Sequence, residues 1–370
     1  MHITLLIPSL VGGGAEKVAI YLANEFIRSG NSVDIVTLRL DHTTKLKLNS
    51  RIKIKCLKAK KMSLAVFEFS KFLKKKNTDI VLSFMTDSNI VAAISIMFLK
   101  RKPKLFLTKH STYTKSENFF PKWLQLLAPY IVPVLYKRAN KVICVTEGVA
   151  KDFQLRFNFP AESLEVIYNP LMAKEILDKS QKELEPQAIL EKTIGKKIIL
   201  AIGRLVPAKN FSLLINAFKE LNAKQSSHLV ILGEGYLRKE LTEQIHNLGL
   251  NDNVDMPGFI DNPYPWFKVA DLFVLSSDYE GFGLVLAEAL ICGVPILSTN
   301  CEHGPSEILD NGKLGMLVPC GDMKSLVTGM ISQLHNPLDV DATEKIREFD
   351  PKSIAGRYLE LFKENKLKNN

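Results

Sequence analysis

Two cations, Arg204 and Lys209, stand five residues apart in Ile202-Gly203-Arg204-Leu205-Val206-Pro207-Ala208-Lys209-Asn210-Phe211, where an apolar run ends and a helix-like segment begins. Arginine offers a planar fork and lysine a compact charge, a combination that suits a diphosphate without a metal. Taken alone, the two fit solvated surface cations at least as well. Two carboxylates, Glu280 and Glu288, stand eight residues apart in Asp278-Tyr279-Glu280-Gly281-Phe282-Gly283-Leu284-Val285-Leu286-Ala287-Glu288-Ala289-Leu290. The glycines make a turn and a helix is expected from about Leu284. Glu280 is then fixed in the loop, and Glu288 lies just over one turn into the helix. A helix N-terminus presents N–H groups and partial positive charge to a phosphate. The flanking carboxylates suit hydrogen bonds from sugar and ribose hydroxyls; the plainer alternative is one capping acid and one solvated glutamate.

Two further places carry suitable chemistry. Ser9-Leu10-Val11-Gly12-Gly13-Gly14-Ala15-Glu16 leaves the first apolar run, and its glycines let backbone approach a ligand at a helix N-terminus. The spacing is wrong for a dinucleotide fingerprint, and the second apolar run ends Thr37-Leu38-Arg39 without the acidic residue that fingerprint needs. A structural tight turn stays open. His110, in Thr108-Lys109-His110-Ser111, also follows an apolar run and is either structural or an active-site imidazole.

These residues need elements to hold them. Strands are expected at Ile3–Pro8, Ser32–Leu38, Ile80–Phe84, Leu105–Lys109, Val142–Val145 and Leu164–Ile167, then at Lys197–Ile202, Ser227–Leu232, Val254–Pro257, Leu272–Leu275, Pro295–Ser298 and Leu314–Val318. Wholly apolar strands alternating with helix-length amphipathic segments imply parallel sheets covered on both faces. The pattern restarts near residue 195 after a polar, charged segment. The expected organisation is α/β, with two doubly wound, Rossmann-like domains. The first spans 1–173, a linker 174–196 and the second 197–350, with ligands at the carboxyl ends of the strands.

Composition is that of an ordinary globular chain, 46% hydrophobic and 24% charged. Five widely spaced cysteines, Cys56, Cys144, Cys292, Cys301 and Cys320, form no C-x-x-C and argue against a disulfide framework or a zinc site. The N-terminus lacks the basic region and cleavage site of a signal peptide. The most apolar stretch, Ile80 to Leu99, is broken by Thr86-Asp87-Ser88-Asn89 and reads as strand, turn and helix rather than a membrane span. Charge is lopsided: residues 1–170 hold 27 Lys/Arg against 12 Asp/Glu, whereas the rest holds 22 against 27. A one-sided positive field suits nucleic acid, an anionic membrane or a phosphorylated acceptor.

The Glu280 to Glu288 spacing around Gly-Phe-Gly resembles the E-x7-E signature of retaining glycosyltransferases. With Gly203-Arg204…Lys209, Gly13-Gly14-Ala15-Glu16, Val166-Ile167-Tyr168-Asn169-Pro170, Leu232-Gly233-Glu234-Gly235 and Pro257-Gly258-Phe259 it resembles glycosyltransferase family 4, of the GT-B fold. The resemblance covers nearly the whole chain and implies two domains facing a central cleft, with a C-terminal helix about 351–366 packed back on the first. It implies a nucleoside-diphosphate sugar as donor, with UDP-hexose or UDP-N-acetylhexosamine expected, and retention of anomeric configuration. Arg204 and Lys209 would bind the diphosphate, with the N–H groups of Leu284 and Val285 facing it. Glu288 would accept from the ribose, and Glu280 with Phe282-Gly283 would hold the transferred sugar. Gly258 and Phe259 would lie near the base, Asn169 in the donor-binding set, Gly13 and Gly14 at the phosphate and acceptor side, and His110 near the sugar.

No cofactor and no metal ion is expected; Asp339-Val340-Asp341 reads as a solvated loop. Cys301-Glu302-His303-Gly304-Pro305-Ser306-Glu307-Ile308 resembles the branch that extends lipopolysaccharide, O-antigen, capsule or lipid-linked glycans. Expected partners are the sugar nucleotide, a glycan or lipid-linked saccharide acceptor and an anionic membrane surface, with no nucleic acid. Lys58, Lys60, Lys61, Lys71 and Lys74 to Lys76 cluster in the first domain, and the stretch from Phe119 through Leu127 into Pro129–Arg138 is either interfacial or a buried connecting helix. The expected place is the cytoplasm, peripheral on the inner face of the membrane. The rival readings are a GT-B epimerase or phosphorylase, or a non-catalytic sugar-nucleotide-binding subunit.

Overall fold

Apolar runs bounded by polar turns become strands when helices cover both faces of a sheet. A computed structural model describes residues 1–10, 13–39, 47–59, 61–110 and 128–364. Seven strands form one parallel sheet: β1 (His2–Ile7), β2 (Ser32–Thr37), β3 (Lys53–Cys56), β4 (Ile80–Phe84), β5 (Lys104–Lys109), β6 (Lys141–Cys144) and β7 (Leu164–Val166), in the order β3-β2-β1-β4-β5-β6-β7. Six form a second: β8 (Lys197–Ile202), β9 (Ser227–Leu232), β10 (Val254–Gly258), β11 (Leu272–Leu275), β12 (Ile296–Thr299) and β13 (Met316–Val318), in the order β10-β9-β8-β11-β12-β13. In both sheets the order reverses beside the first strand, between β1 and β4 and between β8 and β11. Chain leaving two such strands diverges and opens a crevice at their carboxyl ends. The doubly wound α/β class is therefore present twice.

Every expected strand is there, within a residue or two at its ends. β3 was not expected: its Lys-Ile-Lys-Cys sequence is exposed at the sheet edge, where lysines discourage further pairing and leave no apolar run to notice.

The chain divides into two compact units, Met1–Leu171 with Glu348–Asn370, and Met172–Arg347. The stretch expected as a linker, 174–196, is corrected by this division. It folds as helices Ala173–Ser180 and Gln187–Thr193 within the second unit. Asn262 donates to the Lys179 carbonyl at 3.0 Å and Trp266 Nε1 to the Glu185 carbonyl at 2.9 Å, fixing it there. Its polarity comes from a helix that buries only Ile176 and Ser180.

In the second unit, helix Phe211–Asn222 buries Phe211, Leu214, Ile215, Phe218 and Leu221, the spacing of one helical face, against β8, β9 and β11. In the first, the C-terminal helix Pro351–Lys363 places Phe362 4.7 Å from Phe106 and 5.7 Å from Phe26, ring centre to ring centre. Helix Ala128–Tyr136 buries Val132, Leu135 and Tyr136 and exposes Tyr130 and Val134; Phe119–Leu127 lies outside the described residues. No helix among the described residues is long and apolar enough to cross a membrane.

Candidate active site

The reversal between β8 and β11 brings together two loops that sequence alone keeps apart. After β8, residues 203–206 lead into a 3-10 turn, Pro207–Lys209, and Asn210 in left-handed conformation caps helix Phe211–Asn222 by accepting from Leu213 N at 3.2 Å. After β11 comes Ser276-Ser277-Asp278-Tyr279-Glu280. Three hydrogen bonds tie the loops. Ser276 Oγ donates to the Lys209 carbonyl at 2.8 Å, Asp278 N to the Ala208 carbonyl at 2.9 Å, and Asn210 Nδ2 to Asp278 Oδ1 at 2.9 Å. Lys209 Nζ then pairs with Glu280 Oε1, and Ser277 Oγ donates to the same oxygen at 2.7 Å. The lysine stem runs 3.2 Å from where a Cβ on Gly203 would sit, so a side chain there would press the stem aside by a few tenths of an ångström. Arg204 is exposed; its carbonyl accepts from Val206 N at 2.8 Å, while its guanidinium forms no hydrogen bond or ion pair among the described residues.

Beyond Glu280, Gly283 takes φ 84 and starts helix Leu284–Cys292 with no side-chain cap. A left-handed start is nearly free only for glycine, and the uncapped first turn leaves the positive helix end for an anion. Glu288, in the helix, is buried, and Tyr264 OH donates to its Oε1 at 3.1 Å. On the next strands, Gly233 N donates to the Gly258 carbonyl at 2.8 Å, and Phe259 beyond it presents an exposed ring. A Cβ on Gly233 would meet the Gly203 carbonyl oxygen at 1.9 Å, so the glycine lets these loops nest.

In the first unit, His110 follows β5. Its Nε2 lies 2.8 Å from Thr108 Oγ1, while Thr108 Oγ1 donates to the Ser83 carbonyl at 3.0 Å. The single hydroxyl proton is thereby committed, so the imidazole must donate from Nε2 and keep Nδ1 as an acceptor. Phe84 stacks on the ring at 5.6 Å. Burial, with the Lys109 charge second, holds the imidazole pKa down at about 4. His110 is a neutral group at neutral pH. Gly13 caps helix Gly14–Arg28 in extended conformation, and Asn169 is buried after β7.

A family model described as Glycosyltransferase Family 4 matches residues 12–172, and one described as Glycosyl transferases group 1 matches residues 183–352. A Campylobacter jejuni protein named N-acetylgalactosamine-N,N'-diacetylbacillosaminyl-diphospho-undecaprenol 4-alpha-N-acetylgalactosaminyltransferase is 30% identical over 284 residues, covering 76% of this chain and 73% of its own. The chain belongs to glycosyltransferase family 4. A second C. jejuni relative, named as the α-1,4-N-acetyl-D-galactosaminyltransferase acting on GalNAc-α-(1→4)-GalNAc-α-(1→3)-diNAcBac-PP-undecaprenol, is 25% identical over 391 residues, covering 99% of each chain. The crystal structure of Anabaena Alr3699/HepE in complex with UDP has the same GT-B fold, with a TM-score of 0.76 at 20% identity over 97% of this chain and 99% of that one.

In this glycosyltransferase the second unit carries Gly203, Arg204, Lys209, Gly258, Phe259, Glu280, Phe282, Gly283, Leu284, Val285 and Glu288, and the first carries Gly13, Gly14, His110 and Asn169. Lys209 and Glu280 meet; Arg204 meets neither carboxylate. Asp341 of the D-x-D string accepts from Thr343 N at 2.9 Å, a local turn role. Sequence reasoning missed Tyr264 and the work of Ser276 and Ser277. A polar pair closing an apolar strand at the point of reversal was the available signal for the serines; for Tyr264 there was none.

Proposed function

We propose that this glycosyltransferase moves a hexosyl or N-acetylhexosaminyl group from a UDP-sugar to a lipid-linked saccharide or growing surface glycan, with retention and without a metal ion. The observation that carries the reading is the convergence of Arg204, Lys209, Glu280 and the uncapped Leu284–Cys292 helix at one point of strand reversal. In the reaction the bond from the anomeric carbon to the diphosphate oxygen breaks and a bond to an acceptor hydroxyl oxygen forms. The hydroxyl proton passes to the departing diphosphate, and retention follows from attack on the same face. Negative charge grows on the leaving diphosphate. Arg204, Lys209 and the N–H groups of Leu284 and Val285 are the groups proposed to meet it, each such donor being typically worth roughly 10²–10³ in rate.

Glu288 is assigned to the ribose hydroxyls, Phe259 and Gly258 to the base, and Glu280 with Phe282 and Gly283 to hydroxyls of the transferred sugar. His110, neutral with Nδ1 as its acceptor nitrogen, is assigned a substrate hydroxyl. Gly13, Gly14 and Asn169 are assigned to backbone approach and polar contact with substrate. The Campylobacter relatives, named for undecaprenol-diphosphate-linked substrates, support the lipid-linked acceptor and with it a peripheral place at an anionic membrane; the UDP bound in HepE supports the nucleotide.

A thermal-unfolding panel of UDP, GDP and ADP with their sugars tests the donor, since a ligand of the native state raises its midpoint. UDP and one UDP-sugar should stabilise the protein, and that UDP-sugar should extend an undecaprenyl-diphosphate-linked saccharide by one residue. Stabilisation by GDP or ADP alone, or turnover to a free or isomerised sugar without an acceptor, would replace the reading.

A further inference from the structure

Glu280 stands at the end of a loop whose backbone is pinned residue by residue. The Ser277 carbonyl accepts from Thr299 Oγ1 at 2.5 Å, and Cys320 Sγ lies 3.7 Å from the same oxygen. Asp278 is tied to the loop after β8 through the Ala208 carbonyl and Asn210 Nδ2. Tyr279 pairs in parallel with Glu302, three residues beyond β12. None of these bonds uses the Ser277 hydroxyl, so the backbone from 277 to 279 is placed without it. Ser277 is fully buried, and the acceptor of its hydroxyl is Glu280 Oε1 at 2.7 Å.

The carboxylate needs that help. Glutamate is a long, rotamer-rich side chain that settles in one pose only when partners hold it. Oε1 takes two donors, Lys209 Nζ and Ser277 Oγ, and Oε2 accepts no hydrogen bond among the described residues. Oε2 is thus the oxygen left for a substrate hydroxyl. The two donors differ in permanence. Lys209 is assigned above to the leaving diphosphate, so a bound donor draws the ammonium away from Oε1. The Ser277 hydroxyl, buried beneath the loop, has no such second claim on it.

We propose that Ser277 is a positioning residue for the transfer reaction. It keeps hold of Glu280 Oε1 while Lys209 turns to the diphosphate, so that Oε2 stays aimed at a hydroxyl of the transferred sugar. This inference rests on the transferase reading above and adds the residue that maintains its sugar contact. A serine that only stabilised the loop would weaken UDP and UDP-sugar alike, and its loss would not depend on Glu280.

The test compares Ser277→Ala with Ser298→Ala, which deletes an equally buried hydroxyl that donates to the Thr299 carbonyl and not to Glu280. UDP affinity is measured by calorimetric titration. The kcat and KM are measured with the UDP-sugar that best stabilises the protein and a lipid-linked acceptor. Ser277→Ala should bind UDP within about twofold of wild type and lose about tenfold in kcat/KM, in line with one hydrogen bond to a charged group. In a Glu280→Ala background the same change should cost less than about twofold, because the group it positions is gone. Ser298→Ala should match wild type in both measurements. Equal loss in the two backgrounds, a parallel loss of UDP affinity, or an unchanged kcat/KM in Ser277→Ala would overturn the inference and leave the transferase reading standing. Wild-type protein that binds no UDP and turns over no UDP-sugar would overturn that reading, and the inference with it.

Discussion

Lys209 gives its ammonium to the Glu280 oxygen that also accepts from Ser277, whereas the Arg204 guanidinium has no partner among the described residues. The two cations thus enter the reaction from different states. Arg204 is ready for an anion. Lys209 is already half of an ion pair, and a diphosphate beside it would share a charge that Glu280 now holds.

Stability should separate them. Lys209→Ala strips a half-buried carboxylate of its cation, a loss of about 1–3 kcal/mol for a hydrogen bond to a charged group. The unfolding midpoint should drop by roughly 2–4 °C per kcal/mol in a unit of this size. Arg204→Ala should leave the midpoint within a degree or so. Scanning calorimetry of both variants without ligand checks this, and equal midpoints would show that the Lys209–Glu280 pair contributes no net stability.

Nucleotide binding should report Glu288 and its buried partner Tyr264. Tyr264→Phe deletes one hydrogen bond to a carboxylate assigned to the ribose, so UDP affinity should fall about two- to tenfold, in line with roughly 0.5–1.5 kcal/mol. Glu288→Gln should weaken free UDP more than Glu280→Gln does, because Glu280 is assigned to the sugar that UDP lacks. Calorimetric titration with UDP decides it. Equal losses would merge the two roles.

His110 should cost stability in acid. Its folded pKa lies near 4 against an ordinary 6.5, so the unfolded chain takes up the proton first as pH falls. Its contribution is whole above about pH 6.5, smaller by about 2 kcal/mol at pH 5, and gone once pH passes below about 4. His110→Asn cannot titrate there, and urea unfolding at pH 7 and pH 5 should show it losing less than the parent. Parallel losses would contradict the assignment. Thr108→Val should release the tautomer, seen as a change in imidazole nitrogen chemical shifts, while Thr108→Ser should preserve it.

Transfer should persist in excess EDTA, because two cations and a helix N-terminus are proposed to answer the diphosphate charge. A lasting loss reversed by Mg²⁺ or Mn²⁺ would mean that the charge is answered otherwise.

Much of this was legible in the chain. Buried parallel strands must be apolar along their whole length, so runs such as Lys197–Ile202 and Leu272–Leu275 announced themselves. The doubly wound pattern put ligands at the carboxyl ends of the strands, while the reversal between β8 and β11 came from the strand order. Contacts across 71 residues, such as Lys209 with Glu280, were not legible, because spacing along a chain says nothing about which oxygen a lysine will choose. Gly233 stood only as part of a familiar string until the Gly203 carbonyl appeared against it. The stretch 174–196 misled because short helices on a unit's surface bury too little to show a period.

The rate of sugar transfer by Arg204→Ala combined with Lys209→Ala tests the central claim most directly. With UDP-N-acetylhexosamine or the UDP-hexose that best stabilises the protein, and a lipid-linked acceptor at saturation, turnover should fall by about 10³ or more, since two donors to the developing charge are removed. The variant should still bind anionic vesicles and unfold cooperatively. Turnover within tenfold of wild type would mean that these cations do not meet the leaving diphosphate.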